Sequence, residues 1–403
     1  MTLPRQSPAH GSYDVVIVGG AMLGSSVAWW LSGMDAFTGR ILVVERDPTY
    51  EFAATTHTNS CIRQQFSDPV NIKVSQFGAD FVKNFGRYSD DPDAPAGLRL
   101  QSFGYLYLAC SESAVAALKE VQQIQAAHGA GTRFLTPEEI AAEYPFYNVE
   151  DILGANHNTV DEGYFDGASL FELWKRQNRR RGVEYIGNEV TAIGRTGGRI
   201  ESVTLASGET VSCGTLVNAS GTRGAKTAEM AGLPGLPVEP RKRFTFIFSA
   251  EKPLGRDLPL TIDPSGVHVR TDGAFYMAGC KPHNDTPPDF DDFTMDHEIW
   301  EDHVWPILAH RIPAFEAIRL RQTWVGHYDY NTLDQNAVLG PHPDVANFLY
   351  VNGFSGHGLQ QSPAMGRGLA EWIVHGEYRS LDLSGFGYAR IAEGRPMLEK
   401  AII

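Results

Sequence analysis

The sequence predicts an α/β protein. It combines a Rossmann-like nucleotide-binding domain with a second, α+β domain built on a mixed sheet. Three observations carry this expectation. Tyr13 to Leu31 reads YDVVIVGGAMLGSSVAWWL, an apolar β-branched run that breaks on glycines and opens a helix. A second apolar strand, Ile41 to Val44, ends on Glu45, 21 positions after Gly24. Near the far end, Phe348 to Val351 reads as a strand that enters the glycine-rich stretch Asn352 to Gly358 and then a helix. The chain thus begins and ends in nucleotide-type α/β structure, with mixed strands between.

In the first turn the G-x-G-x-x-G frame falls on Gly19, Ala21 and Gly24. Such a turn lets backbone N–H groups, including those near Ala21 and Met22, face a pyrophosphate together with the helix N-terminus. Alanine at the middle position is a departure that a small loop shift accommodates. Glu45, followed by Arg46, stands where a carboxylate accepts both ribose hydroxyls of an ADP moiety. The same carboxylate argues against NADP, whose 2′-phosphate it would face.

The other elements follow in order. The first helix runs through Trp29 and Trp30 and stops near Gly33. Ile72, Val74, Phe77, Phe81, Val82 and Phe85 are spaced for an amphipathic helix from Pro69. Asp90 to Pro95 is a loop and a domain boundary. Tyr105 to Leu108 is a strand and Ser113 to His128 a helix. Thr136 before Pro137 signals another helix start. Gly167 to Arg181 is a helix, Val183 to Ile186 a strand, and Val190 to Val211 a β-meander split at Thr196-Gly197-Gly198 and Ser207-Gly208. Thr215 to Gly221 reads as a separate buried strand. Residues 238–280 hold several strands, Met295 to Phe315 is mostly helical, and the last long helix starts at Pro363.

A formal net charge of −14 disfavours nucleic acid as a partner. The short basic runs Arg179-Arg180-Arg181 and Arg241-Lys242-Arg243 end elements or neutralise a local ligand charge. Four widely spaced cysteines without a C-x-x-C pair predict no metal site and a reducing compartment. No apolar leader is visible in the first eleven residues. The uncharged stretch 15–34 carries a glycine turn, so it reads as strand and helix and not as a membrane span. The expectation is a soluble, cytoplasmic protein.

Three segments together resemble the FAD-dependent D-amino-acid oxidase, sarcosine oxidase and glycine oxidase family: DVVIVGGAMLG with Glu45, LVNASG at 216–221, and YVNGFSGHGLQQSP at 350–363. The resemblance spans nearly the whole chain and implies an FAD-binding domain from residues 10–90, 150–235 and 335–403. The substrate domain then comprises 91–149 and 236–334. It implies cofactor contacts at Val190, Ala219 and Gly221, and in the last loop at Gly353, Ser355, Gly356, His357, Gly358, Leu359 and Gln360. N–H groups of that loop are expected to stabilise negative charge on the reduced flavin. The position of a flavin-linking cysteine in monomeric sarcosine oxidases falls on Gly326, which implies non-covalent FAD. Met277 falls where those enzymes carry an oxygen-activating lysine. The electron acceptor, oxygen or an electron-transfer partner, stays open.

The resemblance also implies a site for an amino-acid-like substrate. Arg63 matches the carboxylate-binding arginine, and a second binding lysine becomes Gln360. A salt bridge or a contact to FAD phosphate is the other reading of Arg63. His57 is a candidate near the flavin, with a satisfied loop histidine the other reading. His327, Tyr328 and Tyr330 are candidates to wall the pocket, with core packing the other reading. His357 is expected to orient the flavin loop, with proton transfer the lesser option. The expected reaction is oxidation of the C–N bond of an amino acid, N-substituted, to an imine by hydride transfer. The segments Cys61 to Ser67, Val238 to Arg243 and Glu399 to Ile403 are similar to a flavoprotein that assists assembly of a partner complex. That role, with little turnover, is the alternative function.

Overall fold

The computed structural model describes residues 4–400. Ala401 to Ile403, the end of the last segment noted above, lie outside the described residues.

Two eight-stranded sheets organise the chain. In the first, five strands run parallel in the order Glu184–Gly187, Ile41–Glu45, Ser12–Val18, Thr210–Asn218 and Val345–Asn352. Val338–His342 closes the edge antiparallel. The strand Ser12–Val18 is apolar without alternation because both faces are covered. Val15 and Ile17 pack under the helices Met22–Ser32 and Gly358–His375 with Val27, Leu31, Met365 and Leu369. Tyr13, Val16 and Val18 face the opposite core, which the meander strands Val190–Thr196 and Arg199–Leu205 cover.

Two details depart from the expected elements. Thr210–Asn218 is one continuous strand. Its first residues pair antiparallel with the meander, and it then runs parallel to Ser12–Val18. Gly214 permits this continuity: a Cβ there would lie 2.7 Å from the Asp14 carbonyl oxygen. The last long helix begins at Gly358, with Pro363 inside it. Proline cannot donate to the Leu359 carbonyl, and the Ser362 hydroxyl donates there instead at 2.7 Å.

The second sheet has the order Ile318–Asn331, Val238–Ala250, Phe275–Cys280, His268–Asp272, Leu260–Ile262, Tyr105–Ala109, Gly154–Asn158 and Arg133–Leu135. Phe244, Phe246 and Phe248 bury one face of it with Trp300 and Phe315. The segment Met295 to Phe315, expected to be mostly helical, divides into a π turn, a short α-helix Trp305–Arg311 and a 3₁₀ turn. Pro313 prevents the helix from continuing. Arg241, Lys242 and Arg243 lie inside the strand Val238–Ala250 and do not end it. Gly154–Asn158 belongs to this second sheet through pairing with Tyr105–Ala109, inside a segment expected in the nucleotide-binding domain. Its sequence GANHN carries no apolar alternation to announce a strand, and long-range pairing decides it. A small third sheet, Cys61–Ile62 with Gly163–Phe165 and Leu100–Gln101, leads directly into Arg63.

Candidate active site

A cavity of about 510 Å³ lies between the C-terminal ends of the first-sheet strands and one face of the second sheet. At one end it is lined by Gly19, Ala21, Met22, Glu45, Arg46, Val190, Ala219 and Gly221. Gly19 has φ +99°, and a Cβ there would strike the Ala219 carbonyl. Gly24 does not line the cavity. Its missing side chain lets the helix sit against the Gly19 carbonyl, so its role is packing. Ala21 precedes the helix in extended conformation and no side chain caps that helix. Met22 N donates to Thr55 Oγ1 at 3.2 Å, and the remaining first-turn N–H groups are left for an anion. The Ala21 methyl is accommodated in the cavity wall.

Glu45 is already engaged. One carboxylate oxygen accepts from Gly20 N and the other from Asp47 N, each at 2.8 Å. Burial raises its pKa despite these bonds. The carboxylate thus shapes the phosphate turn, and Glu45 lines the cavity. Arg46 reaches Asp291 at 3.5 Å.

At the other end, the lining includes His57, Arg63, Gly326, His327, Tyr328, Ser355, Gly356, His357, Gly358, Leu359 and Gln360. Residues far apart in sequence thus converge here. The Arg63 side chain is 2% exposed. Its guanidinium donates to the Gln65 carbonyl, lies 2.9 Å from His357 Nε2 and stacks 4.0 Å over Phe66. It pairs with no carboxylate among the described residues. The Glu162 carboxylate feels its charge but is bonded to Gln64, Gln65 and Asn158, which leaves a ligand to supply a directly paired counter-ion. The Arg63 amide itself donates to Gln360 Oε1 at 2.7 Å. Burial, then the nearby Arg63 charge, pushes His357 down to about 3. Its neutral ring can accept from the guanidinium.

Behind Arg63 stands Glu162, which is fully buried. It accepts from Gln64 N at 2.6 Å and from Gln65 Nε2 and Asn158 Nδ2 at 2.9 Å. Burial lifts its carboxyl to about 7, and the Arg63 charge acts in the opposite sense.

Gly326 faces His57: a Cβ there would lie 3.0 Å from His57 Cβ. His57 and His327 pack with Phe293, the latter stacked at 4.1 Å. His327 Nε2 meets the Asp292 carbonyl at 2.9 Å. Burial lowers both histidines. Tyr328 lies against Gly356 and beneath the Arg243 guanidinium. Tyr330 and Gly353 do not line the cavity. Tyr330 carries Arg241 over its ring at 5.0 Å, and Gly353 makes a left-handed turn against Val238 and Asn331.

Met277 is buried and also lies outside the lining. It pairs with Arg270, whereas Thr245 and His268 flank Gly279 and reach the cavity. His268 Nε2 and Thr245 Oγ1 approach the Asn59 amide at 3.1 and 3.3 Å. Burial holds His268 down to about 4. His268 and Thr245 are the neutral part of this wall, two residues along the strand from Met277, and Arg243 beside them is paired with Asp285. Sequence reading missed these residues, Glu162 and Asp329. None stands in a recognisable local motif; only sheet register brings them to the site.

The residues at the two ends fit an elongated dinucleotide: an open helix N-terminus and carboxylate at one, a glycine loop before a helix at the other. Comparison with known proteins agrees. Residues 14–372 match the FAD dependent oxidoreductase family. FAD-dependent oxidoreductase domain-containing protein 1 of Bos taurus is 38% identical, over 97% of this chain and 87% of its own. Sarcosine dehydrogenase of Mus musculus is 24% identical over 92% of this chain and 40% of its own. The solved structure of L-proline dehydrogenase from P. horikoshii superposes with TM-score 0.83 at 24% identity, covering 96% of this chain and 99% of that one. Glycine oxidase from Geobacillus kaustophilus gives 0.78 at 19%, covering 94% and 98%. Among the described residues, no helix is long and apolar enough to cross a membrane. The cofactor is FAD, and the chain belongs to the FAD dependent oxidoreductase family.

Proposed function

We propose that this enzyme oxidises the C–N bond of an amino acid, N-substituted at the amine, with Arg63 holding the substrate carboxylate. The observation that carries the reading is the Arg63 guanidinium: buried, without an acidic partner, and lining the same cavity as the loop Ser355 to Gln360. A carboxylate ligand completes it by a two-point pair. The names of similar proteins, sarcosine dehydrogenase and glycine oxidase among them, support the substrate class. We further assign FAD binding to the first-sheet segments and substrate contacts to the second sheet, with Gly154–Asn158 on the substrate side.

Bound FAD supplies the acceptor for the hydride. The chain's own residues bind and orient. Arg63 sets the carboxylate, and with it the direction of the Cα–N bond. His357 stays neutral and accepts from Arg63, which limits rotation of the guanidinium. His268 is also neutral, and Arg243, the cation beside it on this wall, is paired with Asp285. Glu45 and the first helix hold the adenosine and pyrophosphate end. Gly326 leaves no side chain to link the flavin, so the cofactor is held without a covalent bond.

Anaerobic addition of amino acids to the purified holoenzyme, followed by flavin absorbance, tests the proposal. An N-methyl or cyclic amino acid is expected to bleach the flavin, and the matching amine lacking the carboxylate is not. Equal bleaching by both overturns the assignment of Arg63. No bleaching by any amino acid, with FAD retained, favours the alternative of a flavoprotein that assists a partner complex.

A further inference from the structure

The strand Ile318–Asn331 ends beneath the loop Gly353 to His357 that leads into the helix Gly358–His375. Four hydrogen bonds join them. One Asp329 carboxylate oxygen accepts from Gly353 N at 2.8 Å and from Phe354 N at 3.1 Å. The Asp329 main-chain carbonyl accepts from Ser355 N at 3.1 Å. Ser355 Oγ accepts from Asn331 N at 2.9 Å.

The loop needs such a mould. Its backbone is left-handed at Gly353 (φ +74°), Ser355 (φ +51°) and Gly356 (φ +96°). The serine adopts that conformation only where its surroundings impose it. The reward of the shape lies downstream. No side chain caps the helix Gly358–His375, so the N–H groups at its start stay open on the cavity side. Asp329 also lines the cavity.

We propose that Asp329 is the positioning residue of the flavin-facing loop. Its carboxylate shapes the turn that aims these N–H groups, and its charge opposes build-up of negative charge on the bound flavin. The proposal rests on this loop facing the flavin. It does not depend on which substrate is oxidised. Burial raises the carboxyl to about 6, leaving it ionised at neutral pH.

Two variants separate the two effects. Asp329→Asn keeps an amide oxygen for Gly353 N and Phe354 N and removes the charge. Asp329→Ala removes both. FAD affinity is read by flavin fluorescence during reconstitution of the apoprotein, and the midpoint potential by dye-coupled reduction without substrate. Asp329→Ala is expected to raise the Kd for FAD about tenfold or more, because two buried donors lose their acceptor. Asp329→Asn is expected to keep the Kd within about threefold. Its potential should become more positive by about 30 mV, a tenfold change in a two-electron equilibrium. An unchanged potential in Asp329→Asn overturns the proposal, whether or not the alanine variant folds. So does a folded Asp329→Ala that binds FAD like the parent. Both readouts omit substrate, so failure here leaves the amino-acid reading to the bleaching experiment.

Discussion

The guanidinium of Arg63 lies 2.9 Å from Nε2 of His357, across 294 positions of sequence. The pair joins the third, small sheet to the C-terminal loop and points one buried cation into the cavity.

Replacing Arg63 with alanine is expected to lower kcat/KM by about 2–4 kcal/mol, through the lost charge partner and the misplaced amine. Flavin content should stay near normal. Arg63→Lys keeps the charge but loses the planar fork, so it should not restore activity. Steady-state kinetics with matched FAD occupancy check this. Loss of FAD from the alanine variant would reassign Arg63 to the cofactor.

Glu45→Ala should weaken FAD retention. Its carboxylate holds Gly20 N and Asp47 N, and charge-assisted bonds contribute about 1.5–3 kcal/mol each. Thermal stability of the apoprotein should fall as well, because the turn itself loses its acceptor. Equal Kd for FAD in parent and variant is the contrary result.

Reoxidation by oxygen is expected to be slow relative to an artificial electron acceptor. The wall beside Gly279 carries His268 and Thr245, and His268, held down to about 4 by burial, is uncharged at neutral pH. No lysine stands beside Gly279 to stabilise superoxide, and Arg243 on the same wall is paired with Asp285. His268→Lys should accelerate the reaction. Stopped-flow mixing of the reduced protein with oxygenated buffer decides it, and a fast parent enzyme contradicts the prediction.

Glu162 gives a stability signature. Its folded pKa is raised from 4.5 to about 7, chiefly by burial. The native state therefore binds the proton more tightly than the unfolded chain. That contribution is present in full below the unfolded value and is lost as pH rises through about 7, on the order of 3 kcal/mol. Relative to Glu162→Gln, the parent should lose stability between pH 5 and 8. Parallel melting curves for both proteins across that range would refute the assignment.

What the sequence determined by itself is local. The turn from Gly19 to Gly24, with Glu45 after the next strand, follows from strand and helix periodicity within one βαβ unit, where neighbours in sequence are neighbours in space. Thr136 caps its helix with Glu139, as the short motif requires. Similarity to a known family added Arg63 and the last loop.

The tertiary structure alone decided which side chains face the cavity. Met277 beside Arg270 and Gly279 beside His268 share one face of the strand, so the position along the strand decides which pair reaches the cavity. No sequence pattern reveals that register. Asp329 became visible only through its bonds to Gly353 and Phe354, 24 and 25 positions away. Gly154–Asn158 joined the second sheet through partners at 105–109. In each case the deciding contact is long-range, and its free energy depends on register and burial, which exist only once both sheets have formed.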